Sequence, residues 1–499
     1  MAPRRQARSE FSVERAHRRV QPSVAARRSP WRHLTNCGGR GMAAPAGATG
    51  IVYDDRCARH CLPAREGHVE RPTRTIVIWE TLSRLGLAER CVRIPARCAE
   101  YDELALTHSS EHIAVVMDSD SHPYTEEEPF RYVDPDTYVC PGTRTAALLA
   151  AGGLIDLCER VVLGELANGF SVMRPPGHHA GLDGPMGFCL FNNVAVAANV
   201  IQERYPEVQR ILIVDWDVHH GNGTEDIFAG NDRVLFQSIH RGSGFYPCSG
   251  GVDDIGKGPA LGYTVNVPLP RGGMGDAAYL EVFQKVFVPI ANEFKPQLII
   301  VSAGFDACDG DPLGGMSVTP KGFSQMLSML IPVCSRIVLA LEGGYNVQAI
   351  ANCSAACLGV LLDGAVSTDS PAQNGKSKTR KQLLMQAEVD EMIASVRTVH
   401  LPFWSCFDEP HPLSDTVTTV DSRAATLLAQ IDSMKSSIGL STEAQASTVA
   451  AAGDAGIPSA SEPPSSHAPA VANPHDEAAV ATLCDALVGL AVAREQPGQ

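Results

Sequence analysis

The sequence predicts a single α/β domain with a mainly parallel sheet over residues 51–364. Three observations carry this expectation. Short apolar runs alternate with longer stretches of helical period, the pattern of repeated βα units. Leu298-Ile-Ile-Val301 and Ile337-Val-Leu-Ala-Leu341 are near-continuous apolar runs, as strands covered on both faces tend to be. Ile211-Leu-Ile-Val214 is a third such run, and it breaks abruptly into acids, histidines and glycines. Open α/β sheets bind ligands just beyond the carboxyl ends of their strands.

The elements follow in order. Gly50–Asp54 reads as a short strand, and a helix begins at Pro72, with proline in its first turn. Residues 143–168 form a long Ala- and Leu-rich helical stretch, Phe170–Met173 a strand and 193–204 a helix. Strands are expected at 211–214, 234–239 and 263–267. Residues 276–295 place Tyr279, Leu280, Phe283, Val286, Phe287, Ile290 and Phe294 at helical spacing. The strands at 298–301 and 337–341 complete the set. Residues 365–435 read as a partly helical extension, with a solvated basic loop at Lys376–Lys381 and a helix over 382–398.

Both ends differ in composition. Residues 1–42 hold ten arginines, no lysine, and only Glu10 and Glu14 as acids. Such a segment cannot build a core and is expected to be disordered. Its arginine pairs suit an organellar transit peptide or a nuclear signal, or no address at all. Residues 436–499 are rich in Ala, Ser, Pro and Glu and read as a disordered tail with a short helix at 476–494.

The formal net charge of −15 supplies no basic field for gripping nucleic acid. No apolar run reaches the ~18 residues of a membrane span. The fifteen cysteines are scattered, without a Cys-x-x-Cys pair, which suits a reduced intracellular protein better than a disulfide framework.

Four turns after expected strands concentrate the chemistry: Arg174-Pro-Pro-Gly-His178-His179-Ala, Asp215-Trp-Asp217-Val-His219-His220-Gly-Asn222, Ser302-Ala-Gly-Phe-Asp306-Ala, and Glu342-Gly-Gly-Tyr345-Asn. Taken singly each has an ordinary reading as polar residues, a helix cap or a turn. Asp217 and His219 are two apart, so in extended chain they leave one face together. Asp215 shares that parity. Carboxylate oxygen and imidazole nitrogen both suit zinc.

In this order and spacing, together with Gly187-Phe188-Cys189, Phe191-Asn192 and Gly310-Asp-Pro-Leu-Gly314, the four segments resemble the zinc-dependent histone deacetylase superfamily, most of all its class II branch. The resemblance covers about residues 51–364. It implies the three-layer arginase/deacetylase-like fold, helices on both faces of the sheet, and removal of acetyl groups from lysines of histones or other proteins. It implies one catalytic Zn2+ on Asp217, His219 and Asp306. His179 would be the general base and acid, His178 a charged neighbour, and Asp215 and Asn222 their partners. Many relatives carry Asp at the Asn222 position, so an amide here should leave His179 less basic. Tyr345 matches the phenol that binds the developing oxyanion. Phe188 and Tyr246 match the tunnel walls, beside Gly187, and Asp136 matches a rim residue. Main-chain carbonyls of Asp215, Asp217, His219, Ser238 and Ile239 match a structural K+ site.

Rival readings remain open. Polyamine-selective relatives carry an acid seven positions after the third zinc ligand, where this chain has Leu313. An apolar residue cannot pair with a second ammonium, which weighs against an acetylpolyamine deacetylase. A catalytically weak corepressor scaffold fits the intact ligand and tyrosine positions poorly. An arginase-like ureohydrolase would need two manganese ions and more carboxylates. Expected partners are acetylated proteins and a corepressor complex, with no nucleic acid and no membrane. The expected compartment is nucleus or cytoplasm, with an organelle as the alternative.

Overall fold

The computed structural model describes residues 47–408, apart from Ala64, Ser243 and residues 365–378. The arginine-rich start, the tail with its expected helix at 476–494, and the first half of the basic loop lie outside the described residues.

The strands are β1 (Thr49–Val52), β2 (Val92–Ile94), β3 (Arg131–Asp134), β4 (Thr137–Val139), β5 (Asn168–Ser171), β6 (Ile211–Asp215), β7 (Val234–Arg241), β8 (Thr264–Leu269), β9 (Leu298–Ala303) and β10 (Ile337–Leu341). The helices are α1 (Thr73–Arg84), α2 (Tyr101–Leu104), α3 (Ser110–Met117), α4 (Thr143–Val162), α5 (Asn193–Arg204), α6 (Asn222–Phe228), α7 (Asp276–Val282), α8 (Val288–Phe294), α9 (Pro320–Leu330), α10 (Val347–Asp363) and α11 (Arg380–His400).

Eight strands form one sheet in the order β2-β1-β5-β10-β9-β6-β7-β8, and every pairing in it is parallel. Strands β3 and β4 form a separate antiparallel pair. Alternation along a strand divides its residues between two cores. On β6, Leu212 and Val214 join one cluster, while Ile211 and Ile213 join the other. On β10, Ile337, Leu339 and Leu341 face the first cluster, and Val338 and Ala340 the second. The first layer draws on α1, α7, α9, α10 and α11, the second on α3, α4 and α5. The sheet is therefore dry on both faces, which is why its central strands carry unbroken apolar runs.

Several details depart from the sequence reading. Helix α4 ends at Val162, not 168, because Gly164 turns the chain out at φ +73° and Asn168 already belongs to β5. The strand expected at 170–173 accordingly starts two residues earlier. The run 276–295 is not uniform: a π-helical turn at Phe283–Phe287 separates α7 from α8. Pro289 has no amide to offer the Lys285 carbonyl four residues back, and Arg397 Nη1 of α11 donates to that carbonyl at 3.0 Å. Lastly, Thr379-Arg-Lys381 is not loop. Thr379 and Gln382 form a capping box that starts α11. Strands β2, β3 and β4, too short and polar to register as runs, were not foreseen.

The core continues past residue 364. Val389, Ile393 and Val396 of α11, then Trp404 and Phe407, pack into the first cluster, and Trp404 Nε1 donates to the Gly262 carbonyl at 2.9 Å. No helix among the described residues is long and apolar enough to cross a membrane.

Helix α4 lies unusually close to the chain before α2. A Cβ on Gly152 would sit 2.3 Å from the Arg97 carbonyl oxygen and 2.6 Å from the Ala99 nitrogen. Gly152→Ala should therefore lower stability by ~1–3 kcal/mol, although alanine is the better helix former by about 1 kcal/mol. Denaturant unfolding measures this, and an unchanged or raised midpoint would contradict the contact.

Candidate active site

Parallel strands place their carboxyl ends along one edge, and the four motif turns all leave from that edge. Asp215 is the last residue of β6, paired in register with Ser302 of β9 and Ser238 of β7. Beyond it Trp216 and Val218 turn into the core, while Asp215, Asp217 and His219 take the opposite parity.

Asp217, His219 and Asp306 converge there. All three are buried, and one ligand atom from each lies within 4.8 Å of the others. Asp217 Oδ1 accepts the His219 amide at 2.9 Å and lies 3.0 Å from His219 Nδ1. Its Oδ2 accepts the Gly343 amide at 2.8 Å. Asp306 Oδ1 accepts the Val218 amide at 2.8 Å. Asp306 Oδ2 is 3.2 Å from His219 Nδ1, in ion-pair range but off any hydrogen-bond line, and so is a buried oxygen without a donor. An orphaned carboxylate oxygen beside a second carboxylate and an imidazole fits a small divalent cation. Two glycines make the space. A Cβ at 304 would stand 1.9 Å from Asp217 Oδ2, and one at 343 would stand 2.2 Å from Asp306 Oδ2.

His178, Cys189 and Glu342 form a second buried group of similar spacing. It suits a metal less well. Glu342 Oε2 already accepts the Gly177 and His178 amides at 2.6 and 3.1 Å. Burial, with the Glu342 charge second, pushes the Cys189 thiol well above its usual range, so it stays protonated and donates to the Gly187 carbonyl.

The two histidines differ in electrostatics. His178 Nδ1 is 2.9 Å from Asp215 Oδ2, and its Nε2 is 3.8 Å from Asp217 Oδ1. Burial alone would lower its pKa, but Asp217 and Asp215 overrule that and hold it at about 10. His179 is lowered well below the imidazole range, first by burial and then by the charges of His178 and His219. Its Nδ1 meets Asn222 Oδ1 at 2.8 Å, a partner without charge. The two neighbouring histidines are thus shifted in opposite directions.

Aromatic rings surround them. Tyr246 stands edge-on to His179, ring centres 5.2 Å apart, and Phe245 stacks on His219 at 5.0 Å. Phe188 lies perpendicular to Tyr345 at 5.9 Å. Gly187, at φ +57°, leaves room for His179, whose Cδ2 would be 2.5 Å from a Cβ there. Asp136 Oδ1 accepts the Gly187 amide at 3.1 Å, and Thr137 Oγ1 accepts the Phe188 amide at 3.0 Å. Leu313 lies in a turn gathered by Asp311, which accepts the Leu313 and Gly314 amides on one oxygen and the Tyr345 and Asn346 amides on the other. Ile239 follows Ser238 on β7.

Sequence reasoning gave no role to Glu342 or Asp311, and it missed Phe245 and a buried ion cluster. Glu70 accepts from Arg74 Nη1 at 3.0 Å and from Arg174 Nε at 2.8 Å, with Arg174 Nη2 on its other oxygen. Arg74 Nε donates to the Gly344 carbonyl at 2.6 Å and Nη2 to that of Glu342. Its guanidinium also stands over the Tyr345 ring, 5.2 Å from the centre. Arg174 Nη1 donates to the Cys57 and His60 carbonyls. The available signal was Glu70 and Arg74 four apart, which ordinarily reads as a solvated helix pair.

Comparison with known proteins gives a consistent picture. The histone deacetylase domain family matches residues 68–361. "Histone deacetylase 5" of Arabidopsis thaliana is 44% identical over 344 residues, covering 67% of this chain and 52% of that protein. "Histone deacetylase 18" of the same plant is 40% identical over 399 residues, covering 78% and 57%. The chain thus spans little more than half the length of these relatives. The crystal structure of the HDA15 HD domain superposes with a TM-score of 0.65 at 38% identity, over 77% of this chain and 99% of that one.

The ion cluster yields a prediction. Glu70→Gln leaves two fully buried guanidinium groups without their shared anion. Removing one partner of a buried pair costs ~3–5 kcal/mol, and denaturant unfolding should show a loss of that size. A loss under ~1 kcal/mol, typical of exposed pairs, would contradict the buried geometry.

Proposed function

This chain belongs to the histone deacetylase family, and on that premise we propose that it is a zinc-dependent hydrolase removing acetyl groups from the ε-nitrogen of protein lysines. The observation that carries the reading is a two-carboxylate, one-imidazole cluster with two adjacent histidines beside it, one on the Asp215 carboxylate and one on the uncharged Asn222. The matched relatives carry histone deacetylase names, and this chain holds the residues that such chemistry asks for.

Asp217, His219 and Asp306 would hold the zinc, three protein ligands being the mark of a catalytic rather than a structural site. Bound there, zinc supplies Lewis acidity toward the amide carbonyl and an acidified water. The chain's own groups do the rest. His179, neutral, accepts the proton of the attacking water and returns it to the leaving amine. His178, held charged by Asp215, stabilises negative charge without giving up its proton. The Tyr345 phenol donates to the oxyanion that forms on the substrate, an interaction made mainly in the transition state. Phe188 and Tyr246 present flat walls to the substrate's methylene stem, and Asp136 orders the Gly187 turn at the rim. The carbonyls of Asp215, Asp217, His219, Ser238 and Ile239 would hold a potassium ion near β6 and β7. Partners in this reading are acetylated histone tails or other proteins and a corepressor assembly, in nucleus or cytoplasm.

The test is turnover of an acetyl-lysine peptide against acetylated spermidine. The peptide should be the better substrate, because Leu313 offers no charge to a second ammonium. Tyr345→Phe should lower kcat by about 10²–10³, the usual cost of one lost oxyanion donor. Preference for the polyamine would overturn the substrate assignment, and equal rates in wild type and Tyr345→Phe would overturn the role of the phenol. No turnover of either, with zinc bound and the fold intact, would favour a scaffold.

A second prediction concerns pH. A carboxylate in place of the Asn222 amide favours charged imidazole, and an opposite charge at this distance raises a pKa by ~1–3 units. In Asn222→Asp, His179 therefore stays protonated to higher pH. Because His179 must be neutral to accept the water's proton, the acidic limb of the pH–rate profile should move to higher pH. An unmoved acidic limb would remove His179 from that role.

A further inference from the structure

Two cysteines outside the active site are far apart in sequence and adjacent in space. Cys61 is exposed just after Asp55–Arg59, and Cys140 follows the end of β4 in the interior, 2% exposed. The Cys61 amide donates to Cys140 Sγ at 3.3 Å. Thr143 Oγ1 also reaches that sulfur, at 3.4 Å, and the Cys140 amide is tied to Thr143 Oγ1 at 2.8 Å. The buried sulfur is therefore fixed in place. An amide nitrogen at 3.3 Å leaves the Cys61 Cα no more than about 5 Å from it, since N–Cα is ~1.46 Å. The remaining gap is one Cβ and one Sγ, which rotation of the exposed Cys61 side chain can supply.

We propose that Cys61 and Cys140 form an oxidation site that closes to a disulfide under hydrogen peroxide. The Cys61 sulfur, as thiolate, attacks one peroxide oxygen. The O–O bond breaks, Cys61 becomes the sulfenic acid, and the released hydroxide takes up a proton to leave as water. Cys140 then attacks the Cys61 sulfur, the S–O bond breaks, and the thiol proton of Cys140 leaves with the hydroxyl as a second water. In total, two thiols and one peroxide become one disulfide and two waters. Exposure selects Cys61 as the first target. Burial shields the Cys140 sulfur from dissolved oxidant, and its fixed position beside Cys61 leaves the neighbouring sulfenic acid as the electrophile it can reach. By contrast Cys308 and Cys353, which also interact, are both buried and have no exposed member to begin.

The link would join two supports of the active site. The turn at 57–61 gives Arg174 its two carbonyl acceptors. Strand β4 begins with Thr137, which holds the Phe188 amide. Cross-linking residues this distant constrains the unfolded chain more than the folded one, so the oxidised protein should melt several degrees higher.

The experiment is peroxide treatment of the full chain, alkylation under denaturing conditions, and peptide mapping without reductant, alongside thermal melts. One cross-linked peptide joining Cys61 and Cys140 is expected, lost on reduction and absent in Cys61→Ser. In Cys98→Ser, which removes another exposed thiol, it should persist. The rise in Tm should follow the cross-link. Cys61 recovered as sulfinic or sulfonic acid with Cys140 alkylated would overturn the proposal, as would Cys61 joined to a different cysteine.

Discussion

Four carboxylates that have left water meet at one edge of the sheet, and much of the structure answers that fact. Asp215, Asp217, Asp306 and Glu342 are all fully buried. Unpaired, each would cost several kcal/mol and would tend to take up a proton. Main-chain amides absorb part of the charge: Asp217, His219, Val218, Gly343, Gly177 and His178 each donate to one of these carboxylates. His178 supplies a positive charge between Asp215 and Asp217. What remains is centred on Asp217 and Asp306, where the proposed dication would complete the balance. The strand register and the glycines at 304 and 343 bring the carboxylates this close.

A second charge arrangement holds the edge from behind. Glu70 lies between Arg74 and Arg174, and the three side chains together reach the 57–61 turn, the turn that leads to His178, and the Glu342–Tyr345 loop. Two cations on one anion leave an excess positive charge, which the main-chain carbonyls of those turns solvate. Tyr345 is thereby held from two directions, Arg74 beside its ring and Asp311 on its amide. The histidine pair and the phenol derive from loops 164 residues apart where His178 and Glu342 are joined directly by a hydrogen bond, so rigid support of this kind is what fixes their mutual distance.

How much of this was legible depended on whether a feature is local. The period-two spacing of Asp215, Asp217 and His219 is visible in five residues, and the apolar runs of β6, β9 and β10 announce a sheet buried on both faces. Asp306 and Tyr345 entered through the likeness of their turns to a known family. The overlong helix at 143–168 has the opposite cause: Leu166 and Ala167 continue a helical pattern that the backbone of Gly164 has already ended. The π-turn at Phe283–Phe287 was hidden because its side chains keep helical spacing, while the group that satisfies the carbonyl freed by Pro289 lies 112 residues away on Arg397. Glu70 and Arg74 look like any exposed pair four apart until Arg174, 104 residues on, is seen to close over them.

The central claim is that Asp217, His219 and Asp306, not the neighbouring group containing Cys189, hold the metal. X-ray absorption at the zinc edge, on protein carrying one zinc per chain, tests it most directly. The account predicts a first shell of oxygen and nitrogen only, with no sulfur scatterer. A sulfur at Zn–S distance of about 2.3 Å would place the metal on Cys189, His178 and Glu342 and contradict the assignment of His178 and His179.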